Sequence, residues 1–258
     1  MLCQVHCART AISMPDSATC CSRTLLAVLA FAPVWGMAAP AASVPDTIEQ
    51  RVLACTSCHA PKGGPDAFFP RIAGKPAGYL LNQLRNFRDG RRQYPLMRYM
   101  VDPLPDAYLK EIADYFSAQH LAAPPVQTVN ADAAVLERGR LLVTQGDANL
   151  KVPACVACHG ERLTGVQPAI PGLAGLPRDY LNAQFGNWRN RTRQAQAPDC
   201  MAVVANRLSL ADVNAVSSWI AQRPLPADLL PSDTVARPLP LACGSAPDEA
   251  ASNRERRP

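Results

Sequence analysis

Apolar residues recur at helical spacing in four stretches of this chain. Tyr79, Leu80, Leu84 and Phe87 lie on one face of a helix, as do Tyr180, Leu181, Phe185 and Trp188. Leu109, Ile112 and Phe116 stripe a third helix, and Val213, Val216 and Ile220 a fourth. Gly90 is placed to stop the first, and Ser209 with Asp212 reads as a capping box opening the fourth. From His120 to Val129 the periodicity gives way to Pro and Ala, the mark of a linker. Asn130 or Asp132 then stands where the next helix needs a cap.

The four stretches are two copies of one unit. Cys55-Thr-Ser-Cys58-His59 returns as Cys155-Val-Ala-Cys158-His159, and Pro70-Arg-Ile72-Ala-Gly74-Lys-Pro76 returns as Pro171-Gly-Leu173-Ala-Gly175-Leu-Pro177. Each copy continues into the aromatic helix, then a methionine-bearing loop, then the closing helix. Met97 precedes Leu104 by the same seven positions that separate Met201 from Leu208. The pattern predicts two mostly helical lobes of similar plan.

Composition sharpens this picture at three points. A chain of 258 residues with 48% hydrophobic content is comfortable for two globular domains, and 25 prolines favour turns and linkers over long helices. The net charge of +5 comes from arginines scattered among apolar residues, which excludes a polybasic nucleic-acid tract. Near the start, Arg23 and Thr24 precede the apolar run Leu25 to Trp35, and small residues follow from Gly36 to Ala42. This has the form of an export signal, too short to span a bilayer, with translation starting as far in as Met14. Its removal takes away Cys3, Cys7, Cys20, Cys21 and His6 and leaves a soluble periplasmic protein, any membrane association coming through a partner.

Cys-x-x-Cys-His is the attachment signature of c-type haem. Two thiols one helical turn apart reach the two vinyl groups on one porphyrin edge, and the adjoining histidine presents its imidazole to the iron. A zinc knuckle would be best served by two Cys pairs on one ion, and a thioredoxin-like pair by a strand–helix context. Each motif here sits instead in its own repeat with its own methionine. His59 and His159 are therefore the expected iron ligands, and Cys55, Cys58, Cys155 and Cys158 the expected attachment points for two covalent haems c.

From about Thr47 to Arg223 the chain resembles the di-haem cytochrome c4 family, built from two class I cytochrome c lobes. The likeness runs through Tyr79-Leu-Leu-Asn-Gln-Leu84, Met97-Arg-Tyr-Met-Val-Asp-Pro-Leu104, Ile112-Ala-Asp-Tyr-Phe-Ser-Ala-Gln119, Tyr180-Leu-Asn-Ala-Gln184 and Val216-Ser-Ser-Trp-Ile220. It implies an all-α fold of two tandem lobes, each wrapped around one covalently bound haem. It also implies histidine–methionine coordination and a periplasmic carrier that feeds a terminal oxidase. Met97 and Met100 both compete in the first lobe; repeat register and the family pattern favour Met97, with Met100 packing, and Met201 in the second. In class I cytochromes a proline at the place of Pro70 and Pro171 offers its carbonyl to the haem histidine's ring N–H. The expected division is a signal over 1–41, lobes over 44–120 and 131–223, a linker over 121–130, and a Pro-rich tail over 224–258.

Several residues fall outside the resemblance. Cys200 and Cys243 are expected to pair in an oxidising compartment, pinning the tail to the second methionine segment. Arg85, Arg88, Arg91, Arg92 and Arg98, with Arg189, Arg191 and Arg193, make a solvated face, partners for haem propionates, or a surface steering an acidic protein. His120 is expected at a helix end with no ligand role. The leading reading is an electron carrier between a respiratory donor and a terminal oxidase, or the acceptor subunit of a periplasmic dehydrogenase. A di-haem peroxidase needs an iron with an open position, which two methionines in equivalent places disfavour.

Overall fold

The computed structural model describes residues 45–59, 69–233 and 238–246. The predicted export signal and the end of the tail lie outside them. In the first lobe, α1 (Ile48–Arg51) and α2 (Leu53–His59) precede α3 (Ala77–Arg88), α4 (Pro95–Val101) and α5 (Asp106–Ser117). The second lobe has α6 (Ala133–Thr144), α7 (Val156–His159), α8 (Arg178–Arg189), α9 (Cys200–Arg207) and α10 (Leu210–Gln222). It adds a small antiparallel hairpin, β1 (Gly165–Val166) with β2 (Ile170–Pro171). The two strands are two residues each, too short for periodicity to reveal.

The predicted helical faces are the buried ones. Leu80 and Phe87 of α3 face inward, as do Leu109, Ile112 and Phe116 of α5, and their counterparts Tyr180, Leu181, Phe185, Val213, Val216 and Ile220 form the second core. At the start of α10 the box is complete: Ser209 Oγ accepts from the Asp212 N–H, and Asp212 accepts from the Ser209 N–H. Arg138 of α6 bridges Asp147 at 2.9 Å and Asp212 at 2.7 Å, fastening α6 to that cap. The two helices cross so closely that a Cβ on Gly139 would stand 2.2 Å from the Ala215 carbonyl oxygen. Asp132 takes the N-cap position of α6, but its side chain makes no capping bond.

The methionine segments are corrected from loops to helices. Pro95 begins α4, where its missing N–H costs nothing, and Asp199 caps α9 by accepting from the Ala202 N–H at 3.0 Å. The predicted linker has no secondary structure but is tied down. Arg71 donates to the carbonyls of Leu121 and Ala122, and the Arg178 N–H donates to Gln127 Oε1.

The tail is built into the second lobe. Ser232 exchanges backbone hydrogen bonds with Gly165 and Gln167, Leu241 packs on the core, and the Cys200–Cys243 disulfide forms with its Cα atoms 5.0 Å apart. It closes a loop of 43 residues, worth about 4 kcal/mol in the chain-entropy account. The Cys243→Ser protein is therefore expected to lose up to about 4 kcal/mol of second-lobe stability in urea unfolding followed by circular dichroism. An unchanged midpoint would show that the tail is held by its other contacts.

Candidate haem-binding sites

Both Cys-x-x-Cys-His motifs are helical, in α2 and α7, so each pair of thiols stands one turn apart with the histidine at the helix end. None of the four motif cysteines is in a disulfide. His59 Nδ1 lies 2.9 Å from the Pro70 carbonyl oxygen, and His159 Nδ1 lies 2.7 Å from that of Pro171. A carbonyl can only accept, so Nδ1 carries the proton in both rings and the Nε2 lone pair is left for a metal. Burial holds both imidazoles below their ordinary pKa, with the proline carbonyl opposing the shift, which keeps them neutral.

Burial keeps the Cys55, Cys155 and Cys158 thiols protonated. Burial pushes Cys155 up to about 12, and raises Cys55 and Cys158 as well. Among the described residues no three His, Cys, Asp or Glu side chains converge where they would hold a bare metal ion. Met97 and Met100 both pack on the cluster of Phe87, Val101 and Leu109, whereas Met201 packs on the single large core of the second lobe.

The arginines divide into two kinds. Arg85 and Arg88 pair with Asp106, Arg88 and Arg91 pair with Asp89, and Arg189 donates to the last carbonyls near the end of α9. These make a paired, largely solvated face of little energetic weight. Arg92 and Arg193 are different. A left-handed residue after each aromatic helix, Gly90 at φ 76° and Arg191 at φ 64°, turns the chain back on the helix. The N–H groups of Arg92 and Arg193 then bond the carbonyls of Asn86 and Asn187. The two arginines meet as an antiparallel bridge between the lobes, flanked by Gln93 N–H to Thr192 O and Gln194 N–H to Arg91 O, both 2.7 Å.

Their side chains share neutral acceptors. Arg92 donates to Gln83 Oε1, Gln184 Oε1 and Tyr180 Oη, and Arg193 to Gln184 Oε1 and Gln83 Oε1. Among the described residues neither is paired with a carboxylate. Burial, and then the like charge of Arg92, holds the Arg193 guanidinium below its ordinary value. Arg193 stacks over the Trp188 ring at 4.0 Å, and the buried Trp188 Nε1 has no hydrogen-bond partner. A buried guanidinium, a half-buried one beside it and an orphaned indole N–H ask for anions.

A haem fits these residues. Its two propionates are such anions, and its apolar faces suit the apolar side chains around each motif. In the first lobe Cys55 packs on one apolar cluster and Met97 on another, and Leu81, Leu84 and Leu104 pack on both. In the second lobe Cys155 and Met201 pack on one continuous cluster. The sequence placed Trp188 and Tyr180 only on a helix face and Gln83 and Gln184 only within the family match, with none of them assigned to Arg92 or Arg193. Aligning the repeats would have found the two glutamines, because Gln83 and Gln184 stand at the same offset as Arg92 and Arg193.

Two helical lobes, each with a c-type haem motif, a proline-held histidine and a helix-borne methionine, define a two-lobed c-type cytochrome. No protein-family model matches the chain. It is 34% identical over 206 residues to a thiosulfate dehydrogenase electron acceptor of Thiomonas intermedia, covering 79% of this chain and 92% of that one. It is 32% identical over 212 residues to cytochrome c4 of Stutzerimonas stutzeri, covering 77% and 98%. Among solved structures it is similar to the thiosulfate dehydrogenase TsdBA of Marichromatium purpuratum, with TM-score 0.59 and 34% identity over 66% of this chain and 36% of that longer one. Reduced cytochrome c4 of Pseudomonas stutzeri gives TM-score 0.54 and 32% identity over 67% and 95%. The chain belongs to the cytochrome c4 family: it is a di-haem electron carrier of class I cytochrome c fold, with two covalently bound haems c, and not an enzyme.

Proposed function

We propose that this chain is a periplasmic shuttle that takes electrons from a thiosulfate-oxidising dehydrogenase into two His/Met-ligated irons and passes them toward a terminal oxidase. The observation that carries the reading is the pair of neutral, proline-held imidazoles, each in a lobe that also packs a methionine into its core. The bound haem supplies a one-electron Fe(III)/Fe(II) couple; the chain does the rest. Cys55 and Cys58, and Cys155 and Cys158, would hold the ring covalently, and His59 and His159 would donate Nε2 to the iron. Met97 and Met201 would offer a soft thioether, which favours the ferrous state and leaves no position open for peroxide. Arg92 and Arg193 would balance the carboxylates, Trp188 Nε1 would donate to one, and the apolar side chains would exclude water.

Residues 1–41 act as the export signal in this reading, with 44–120 and 131–223 as the two haem lobes. The Cys200–Cys243 disulfide supports export, since such bonds persist in oxidising compartments. Support for the donor comes from two relatives called thiosulfate dehydrogenase electron acceptor, 34% and 36% identical to this chain. The test mixes the oxidised holoprotein with thiosulfate, with and without a purified thiosulfate dehydrogenase, in a stopped-flow spectrometer. Both haems are expected to be reduced rapidly only when the dehydrogenase is present. Reduction no faster than by thiosulfate alone would reject this donor and leave the carrier in need of another.

A further inference from the structure

The repeat is broken at one position that lies between the lobes. After the proline that holds each histidine, the chain makes the same turn, with Gly74 at φ 70° and Gly175 at φ 74°. The next residue is Lys75 in the first lobe and Leu176 in the second. Leu176 enters its own lobe's core. Lys75 leaves its lobe and donates from Nζ to the Gly172 carbonyl oxygen at 2.7 Å. Gly172 follows Pro171, whose carbonyl accepts from His159 Nδ1. The adjoining backbone is itself a contact between lobes, because the Gly78 N–H donates to the Pro168 carbonyl oxygen at 3.0 Å, in the turn that joins β1 to β2.

Lys75 has no carboxylate partner among the described residues, and its nearest charged influence is the like charge of Arg71. Burial pushes its pKa down to about 8, and its field is felt at His159, where it opposes a positive charge on the ring. An ammonium left in such a place costs stability unless something else gains from it. The neighbouring group that gains from a nearby cation is an iron that accepts an electron, because its charge falls by one on reduction.

We propose that Lys75, a first-lobe residue, is a positioning residue for the second lobe, fixing the Pro171–Gly172 segment behind His159 and raising the reduction potential of the iron that His159 binds. This rests on the reading of His159 as an iron ligand. The consequence is that part of the second iron's potential is set from the first lobe and depends on the lobes staying docked.

Spectroelectrochemical titration of the full holoprotein tests this with Lys75→Gln, which can keep the hydrogen bond without the charge, and Lys75→Arg, which keeps the charge. Lys75→Gln is expected to lower one of the two potentials by at least the ~59 mV of a tenfold change in a one-electron equilibrium, leaving the other in place. Lys75→Arg is expected to keep both close to the parent values. Repeating the pair in a Met97→His background, which sets the first lobe's potential apart, should assign the moving wave to the second lobe. The inference is overturned if Lys75→Gln moves neither potential, if the moving wave belongs to the first lobe, or if Lys75→Arg moves it as far as Lys75→Gln. A parent protein without two low-spin haems would instead remove the ligand reading beneath it.

Discussion

Replacing Cys55 and Cys58 together with alanine is expected to halve the haem content and to cost the first lobe its tertiary structure, while the second lobe survives. The reason is how little of their own surface the motif-bearing helices of the first lobe bury. In the second lobe α6, α8, α9 and α10 contribute to one continuous apolar cluster that includes Leu142, Leu181, Val204 and Val216. Among the described residues of the first lobe, a cluster about Val52, Leu80 and Phe116 and another about Phe87, Val101 and Leu109 are bridged by Leu81, Leu84 and Leu104. The four-residue α1 and the seven-residue α2 bury none of their own side chains. A covalent haem would cover these short helices, and its loss is expected to cost far more than the ~2–5 kcal/mol of one large-to-small core substitution. Pyridine haemochrome counting with thermal unfolding by circular dichroism checks this. One haem per chain and a transition of roughly half the parent amplitude is the expected result; two full lobes around one haem would contradict it.

The second large effect concerns the methionines. Met97→Ala is expected to remove half of the iron–sulfur charge-transfer band and lower one reduction potential by a few tenths of a volt, within the ~0.8 V range that axial ligands span. Met100→Ala should leave the band intact. Both side chains pack on the same cluster of Phe87, Val101 and Leu109, so burial alone does not separate them. The repeat does, since Met97 and Met201 stand seven residues before Leu104 and Leu208, and each is the third or second residue of its short helix. A band lost in Met100→Ala and kept in Met97→Ala would reverse the assignment.

How far the sequence foretold these features depends on the range of the forces involved. The long helices and the Ser209–Asp212 box were legible because helical periodicity and capping are local. The bonds from His59 to Pro70 and from His159 to Pro171 were legible through the family pattern, and the Cys200–Cys243 pairing through the chemistry of the compartment. The helices carrying Met97 and Met201 were not, because seven- and eight-residue segments offer barely two turns of pattern. The hairpin was hidden for the same reason. The sorting of the arginines was also out of reach. Whether Arg88 meets Asp106 on the surface, or Arg92 meets Gln184 across the lobes, is decided by tertiary contacts that no local run of residues encodes. Lys75 was visible only as a departure from the repeat, and its crossing to Gly172 belongs to the docked pair.

Each lobe is expected to bind one covalent haem between a proline-held histidine and a methionine. The most direct measurement is the absorption spectrum of the purified holoprotein, oxidised and reduced, with a pyridine haemochrome count. Two c-type haems per chain, both low-spin, with the iron–methionine charge-transfer band present when oxidised and gone when reduced, is the predicted result. A single haem, or a high-spin spectrum without that band, would contradict it.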